Sequence, residues 1–123
     1  MPDSDVNRTA TVLALPADLI FGARIRATAE SVGEPVVIAK NVEDLITKLR
    51  ETETRLVILD LDRRGMNVSE TVASIKAATP APLLAYVSHV REDAIREARG
   101  AGADKVIARG AFANQLADLL KMY

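Results

Sequence analysis

The sequence predicts an α/β domain in which five short, buried, parallel strands alternate with five helices. Three observations carry this reading. Apolar runs of four to six residues recur five times along the chain. Each is followed by a longer stretch whose apolar residues return at three- and four-residue intervals, the spacing of one helix face. Gly, Pro, Asn and Asp fall at the junctions, where chain reversals and helix ends need them. Residues 9–123 are expected to form one domain, preceded by a flexible, polar N-terminal tail, residues 1–8.

In chain order, the strand candidates are Thr11–Leu15, Pro35–Ala39, Arg55–Asp60, Pro82–Val87 and Lys105–Ala108. They lack the apolar–polar alternation of a half-exposed sheet, so they read as strands covered on both faces. The first helix is expected over about 18–31, with Phe21, Ile25, Ala29 and Val32 on its inner face. The second, 42–50, offers Val42, Leu45, Ile46 and Leu49, and Asn41 stands at its N-cap position. The third, about 69–78, places Val72 and Ile75 together. The fourth, 92–99, carries Ile95 and Ala98. The fifth, 112–121, carries the stripe Phe112, Leu116, Leu119 and Leu120. Gly33, and either Gly100 or Gly102, fall where a helix C-terminus needs a residue tolerant of positive φ. Pro80 and Pro82 close the third helix and restart the chain as strand.

Parallel neighbours need a crossover, and a helix is the usual one. Five βα units therefore make a doubly wound sheet, for which the flavodoxin-like order 2-1-3-4-5 is expected. In that order the crevice lies beyond the carboxyl ends of strands 1 and 3, at Pro16-Ala17-Asp18 and Asp60-Leu61-Asp62.

Composition narrows the function. A formal charge of −1, with acids and bases interspersed, lacks the basic excess of a nucleic-acid surface. There is no cysteine, which removes disulfides, thiolate nucleophiles and Cys-ligated metals together. The start is polar and acidic, unlike a signal peptide, and no apolar stretch reaches the ~18 residues of a membrane span. A cytoplasmic location is expected. Glycine-rich phosphate loops are absent: Gly100-Ala101-Gly102 precedes a strand rather than a helix. With aromatics at 3%, few rings are left to stack on a flavin.

The segment Leu56-Val57-Ile58-Leu59-Asp60-Leu61-Asp62-Arg63-Arg64-Gly65-Met66 resembles the signature of CheY-like response-regulator receiver domains, in which an apolar strand ends in the phosphoryl-accepting aspartate. Gly102-Ala103-Asp104 and Ala81-Pro82-Leu83-Leu84-Ala85 are similar to that family too. The likeness in element order extends from about Thr11 to Leu120.

The resemblance puts Asp60 at the phosphoacceptor position. It implies a Mg²⁺ held by an acidic pair after the first strand, but those positions are Pro16 and Ala17, and Asp18 falls one place late, where an N-cap is also wanted. The hydroxyl position after the fourth strand is Val87, with Ser88 beside it. The lysine position is Arg109, followed by Gly110 in place of proline, and the aromatic position in the fifth strand is Val106. The chain thus resembles a degenerate, or pseudo-, receiver. No metal or cofactor is expected, Mg²⁺ being accommodated only if Asp60 with Asp18 or Asp62 suffices. A guanidinium stays charged and binds a carboxylate through two parallel N–H bonds, so Arg109 is expected to clasp Asp60.

What the resemblance implies is a signalling module of the two-component phosphorelay. It would not be an enzyme, and would act through contacts with a signalling protein or a histidine-kinase-pathway component. A small-ligand site in the crevice between strands 1 and 3 is the alternative, though fold alone does not license it. His89, the single histidine, has no partner constellation for catalysis. The inner face of the first helix is already supplied, so at least one of Leu19 and Ile20 is expected at the surface near the crevice, as a docking residue or tucked under a loop. Arg91, Arg96, Arg99 and Lys105 lie on or near the fourth helix. The face of fourth helix, fifth strand and fifth helix is where the family places partner contacts and where a homodimer would form. Interleaved Glu92, Asp93 and Glu97 equally suit a plain solvated face.

Overall fold

A computed structural model describes residues 10–123; the expected tail, residues 1–8, lies outside the described residues. Ten elements alternate without exception. They are β1 (Thr11–Leu15), α1 (Leu19–Val32), β2 (Val36–Ile38), α2 (Val42–Glu51), β3 (Thr54–Asp60), α3 (Val68–Ala78), β4 (Leu83–Val87), α4 (Glu92–Ala101), β5 (Lys105–Ala108) and α5 (Arg109–Met122). The strands form one parallel sheet in the order β2-β1-β3-β4-β5. This is the flavodoxin-like order anticipated from the five βα units.

Both faces of the inner strands β1, β3 and β4 are buried, whereas the edge strands β2 and β5, expected to be covered on both faces, are only partly so. The strand period of two divides the core cleanly. Leu13, Leu15, Val57, Leu59, Leu83, Ala85 and Val87 face one side, where Leu45 and Leu49 of α2, Val72 and Ile75 of α3, and Ala94 and Ala98 of α4 cover them. Val12, Ala14, Leu56, Ile58, Leu84 and Tyr86 face the other, under Phe21, Ile25 and Ala29 of α1 and Phe112, Leu116, Leu119 and Leu120 of α5. The helices therefore segregate as α2, α3 and α4 against α1 and α5.

The helix ends follow local chemistry. Asp18, Asn41 and Asn67 each sit in extended backbone, and each accepts an amide from the third residue on. Gly33 and Gly102 end α1 and α4 with positive φ, so Gly102 rather than Gly100 is the stop. The Asn67 cap and the start of α5 at Arg109, three residues before Phe112, were not anticipated. No side chain caps α5, and nothing in its residue pattern marks that first turn. Among the described residues no helix is long and apolar enough to cross a membrane.

Candidate functional site

Asp60 is the last residue of β3, at the carboxyl edge of the central strand, and is fully buried. The alternation that sends Leu56 and Ile58 toward α1 and α5 carries Asp60 the same way. Its two oxygens are already engaged. Oδ2 accepts the Ala17 amide at 3.1 Å, and Oδ1 accepts the Asp62 amide at 2.9 Å. Burial pushes its carboxyl above the ordinary aspartate range; the Asp62 and Ala17 amides, and then the Arg109 charge, hold it down in part.

Tyr86 pairs with Asp60 across β3 and β4, so the two side chains emerge on one side of the sheet. The phenol is fully buried, and its Oη has no hydrogen-bond partner. Burial and then the neighbouring Asp60 charge push its pKa far above that of an ordinary tyrosine, so it stays protonated. Its ring stacks on Phe112, with centroids 4.3 Å apart, and Phe21 leans on both. Three of the chain's four aromatic rings thus form one cluster directly beside Asp60. The sequence reading missed Tyr86. The signal for it was strand register: Val87 is one residue along, so its side chain belongs to the opposite core cluster.

Arg109 does not clasp Asp60. Its Nη2 bonds Asp18 Oδ2 at 2.9 Å, and its guanidinium lies 4.6 Å from the centre of the Phe21 ring. The reason is depth. Asp60 lies below the rim with both oxygens supplied by backbone amides, whereas Asp18 stands on the rim as the α1 N-cap. The other Asp18 oxygen accepts the Phe21 amide at 2.7 Å. That amide, and then Arg109, hold the Asp18 carboxyl below its usual range. The guanidinium is shifted upward in turn, chiefly by its bond to Asp18.

Asp62 is equally occupied. Its Oδ2 accepts the Ser88 amide at 2.9 Å, and its Oδ1 lies 3.5 Å from Arg91 Nη1. Arg91, at the N-cap position of α4, thus reaches Asp62 at the crevice, while Arg96 and Arg99 are exposed and Lys105 is half-buried. Arg63 bridges two loops, donating to Pro16 O at 2.9 Å and to Lys40 O at 2.8 Å. Ala17, Asp18, Asp62, Arg63, Arg64 and Arg109 then line an open cleft of about 440 Å³ above Asp60.

Pro16 and Ala17 occupy the loop where an acidic pair would have to stand. Among the described residues, no three His, Asp or Glu side chains are grouped to hold a metal ion. Gly22 lets the loop sit close, since a Cβ there would meet Pro16 Cγ at 3.1 Å. Leu19 and Ile20, at the start of α1, are exposed at 92% and 85%, and Val90, in the loop after β4, at 73%. His89 is exposed as well. Asp104 serves structure: it accepts the Leu83 amide and pairs with Lys76 at 2.6 Å.

No protein-family model matches the sequence, and no curated protein matches it. Solved structures do. A CheY-like response regulator receiver domain protein from Methanospirillum hungatei superposes with a TM-score of 0.80 at 18% identity, over 92% of this chain and 91% of that one. A response regulator from Thermotoga maritima gives 0.77 at 24% identity, over 93% and 96%. A response regulator from Burkholderia pseudomallei, solved with a phosphorylated aspartic acid, a calcium ion and citrate, gives 0.73 at 16%, over 92% and 72%. The fold of this chain is that of the CheY-like receiver domains.

Proposed function

From that fold we propose that the chain is a receiver-like, non-enzymatic module of two-component signalling which works through protein–protein contacts and is not conventionally phosphorylated at Asp60. One observation carries the proposal: the Asp60 carboxylate is buried with both oxygens on backbone amides, and the loop facing it offers Pro16 and Ala17. Phosphoryl transfer to a carboxylate needs an accessible oxygen and positive charge to offset the phosphoryl oxygens, usually from a metal ion held by acids. Asp18 and Asp62 are the remaining acids, and each already has an amide and an arginine. Pro16 and Ala17 add no side-chain oxygen, and the charges of Asp18 and Asp62 are met by arginines. The donor set therefore does not suit Mg²⁺, which is usually held by one or two carboxylates with retained waters. The Burkholderia neighbour contains the phosphorylated aspartate and cation that such a site would otherwise hold.

In this reading the Arg109–Asp18 bridge and its stacking on Phe21 keep the crevice in one arrangement without a phosphoryl group. Leu19 and Ile20, exposed at the start of α1, supply the apolar contact for a signalling partner. The face of α4, β5 and α5, with Arg96, Arg99 and Lys105, is the second contact surface and the place for a homodimer.

A two-dimensional NMR titration of the ¹⁵N-labelled protein with Mg²⁺ and then beryllofluoride, a phosphoryl mimic, tests the proposal. The amides of Ala17, Asp60, Asp62, Ser88 and Arg109 should not move, whereas a Pro16→Asp/Ala17→Asp variant should gain saturable Mg²⁺ shifts. Saturable shifts in the unaltered protein would return Asp60 to the phosphorelay.

A further inference from the structure

A second depression lies beside the crevice, at the carboxyl ends of β1 and β2. We infer that it is a binding site for a small organic anion, one with an apolar body and a carboxylate-, sulfonate- or phosphonate-type head. The inference stands whether or not Asp60 is ever phosphorylated, because none of the groups involved is Asp60.

The depression holds about 380 Å³, within the range of about 300–1,000 Å³ typical of small-molecule sites. Its walls are mainly apolar: Pro16 and Leu19 from the start of α1, Ile38 and Ala39 from the end of β2. Leu19 is almost wholly exposed there, so an occupant would cover apolar surface that now faces water.

Three of the four charged residues that line it are cations. Arg26, two turns along α1 from Leu19, and Lys40 are both exposed, and neither takes part in an ion pair among the described residues. Arg63 closes the third side. Its guanidinium is held by two backbone carbonyls, Pro16 O and Lys40 O, so its position is set while no acid neutralises it. The single acid in the lining is Asp18, whose two oxygens are taken by the Phe21 amide and Arg109. Three cations thus converge on an apolar pocket; the one acid close to them from outside it, Asp44 beside Lys40, is itself paired with Lys48. A bare inorganic anion would leave the apolar walls wet, and a cationic ligand would be repelled. An anion with an apolar body satisfies both.

The test is a ¹⁵N NMR titration with phenylphosphonate, whose P–C bond prevents phosphoryl transfer and so keeps this result separate from any chemistry at Asp60. Inorganic phosphate and benzylammonium serve as controls. Saturable shifts are expected at the amides of Leu19, Ile38, Ala39, Lys40 and Arg63. Inorganic phosphate should bind at least tenfold more weakly, and benzylammonium should have no effect. Arg26→Glu/Lys40→Glu and Leu19→Glu change only exposed side chains, and their own spectra report whether they are folded. Each should weaken phenylphosphonate binding tenfold or more. The inference is overturned by a silent titration at millimolar ligand, by equal binding of inorganic phosphate or benzylammonium, or by unchanged affinity in the folded variants. Shifts centred instead on Asp62, Arg64 and Arg109 would put the anion in the neighbouring cleft and would overturn it too.

Discussion

Asp60 and Tyr86 are neighbours whose chemistry departs from that of their exposed counterparts chiefly through burial. A carboxylate without contact to water is disfavoured as an anion, so its pKa in the folded protein lies above its unfolded value. The sign follows from linkage: Asp60's favourable contribution to stability is complete below the ordinary carboxylate range and is lost as pH rises through the raised pKa. Lowering pH from 7 through that window should therefore stabilise the wild type relative to Asp60→Ala, as read by urea denaturation at a series of pH values. The variant's unpaired Ala17 and Asp62 amides add a pH-independent offset, so the slope is the diagnostic. Below the ordinary range, the opposite loss sets in as Asp18, with its depressed pKa, is neutralised. Tyr86 makes a separate prediction. Its buried hydroxyl has no partner, so Tyr86→Phe removes a desolvated polar group without changing shape. It should be neutral or stabilise the fold by about 1 kcal/mol, seen as a higher urea midpoint at unchanged slope.

At the scale of elements, the helix ends set where each βα unit turns. Gly33 has φ 72° and closes α1 in a left-handed conformation that costs a residue with a Cβ roughly 1–2 kcal/mol. Gly100 lies inside α4 with open space around the site of a Cβ. The same substitution should therefore act in opposite directions. Gly33→Ala should destabilise by about 1 kcal/mol, and Gly100→Ala should stabilise by up to about 1 kcal/mol through helix propensity. Thermal unfolding of both variants, run together, checks the pair. The caps show how far local sequence reaches. Asn41 was readable because an apolar-periodic stretch starts directly after it. Asn67 is not readable in this way, because the helix face marked by Val72 and Ile75 gives no start as early as Val68, whose burial depends on the tertiary packing.

For the whole molecule, the decisive feature is a sheet covered on both faces, so that adjacent residues of one strand serve different cores. Ile58 packs under α1 and α5, while Leu59 packs under α2, α3 and α4. Each truncated to Ala should cost about 2–5 kcal/mol, the range for large-to-small changes in a core. Because one sheet carries both cores, both variants should shift a single cooperative urea transition, detected alike by far-ultraviolet circular dichroism and by tyrosine fluorescence. Two transitions would mean that the faces melt independently. The same two-sidedness places the site: the β1, β2 and β3 ends are brought together only by the order 2-1-3-4-5.

The order 2-1-3-4-5 is the usual arrangement for five such units rather than something their residues encode. Residue pattern alone determined the five βα units, Asp60 at the end of the third strand, and the absence of acids at Pro16 and Ala17. These follow from periodicity, breakers and residue identity, all of which are local in the chain. Tertiary structure decided what those residues touch. Arg109 went to Asp18 because Asp60 lies too deep and is already supplied by amides 43 and 2 residues away. Tyr86, not Val87, became the neighbour of Asp60 because strand register sends alternate side chains to opposite faces. Arg26, Lys40 and Arg63 come from three separate connections and meet around one pocket only once the sheet has ordered its strands. Side-chain pairing depends on depth and on distances between segments remote in sequence, which no local pattern encodes.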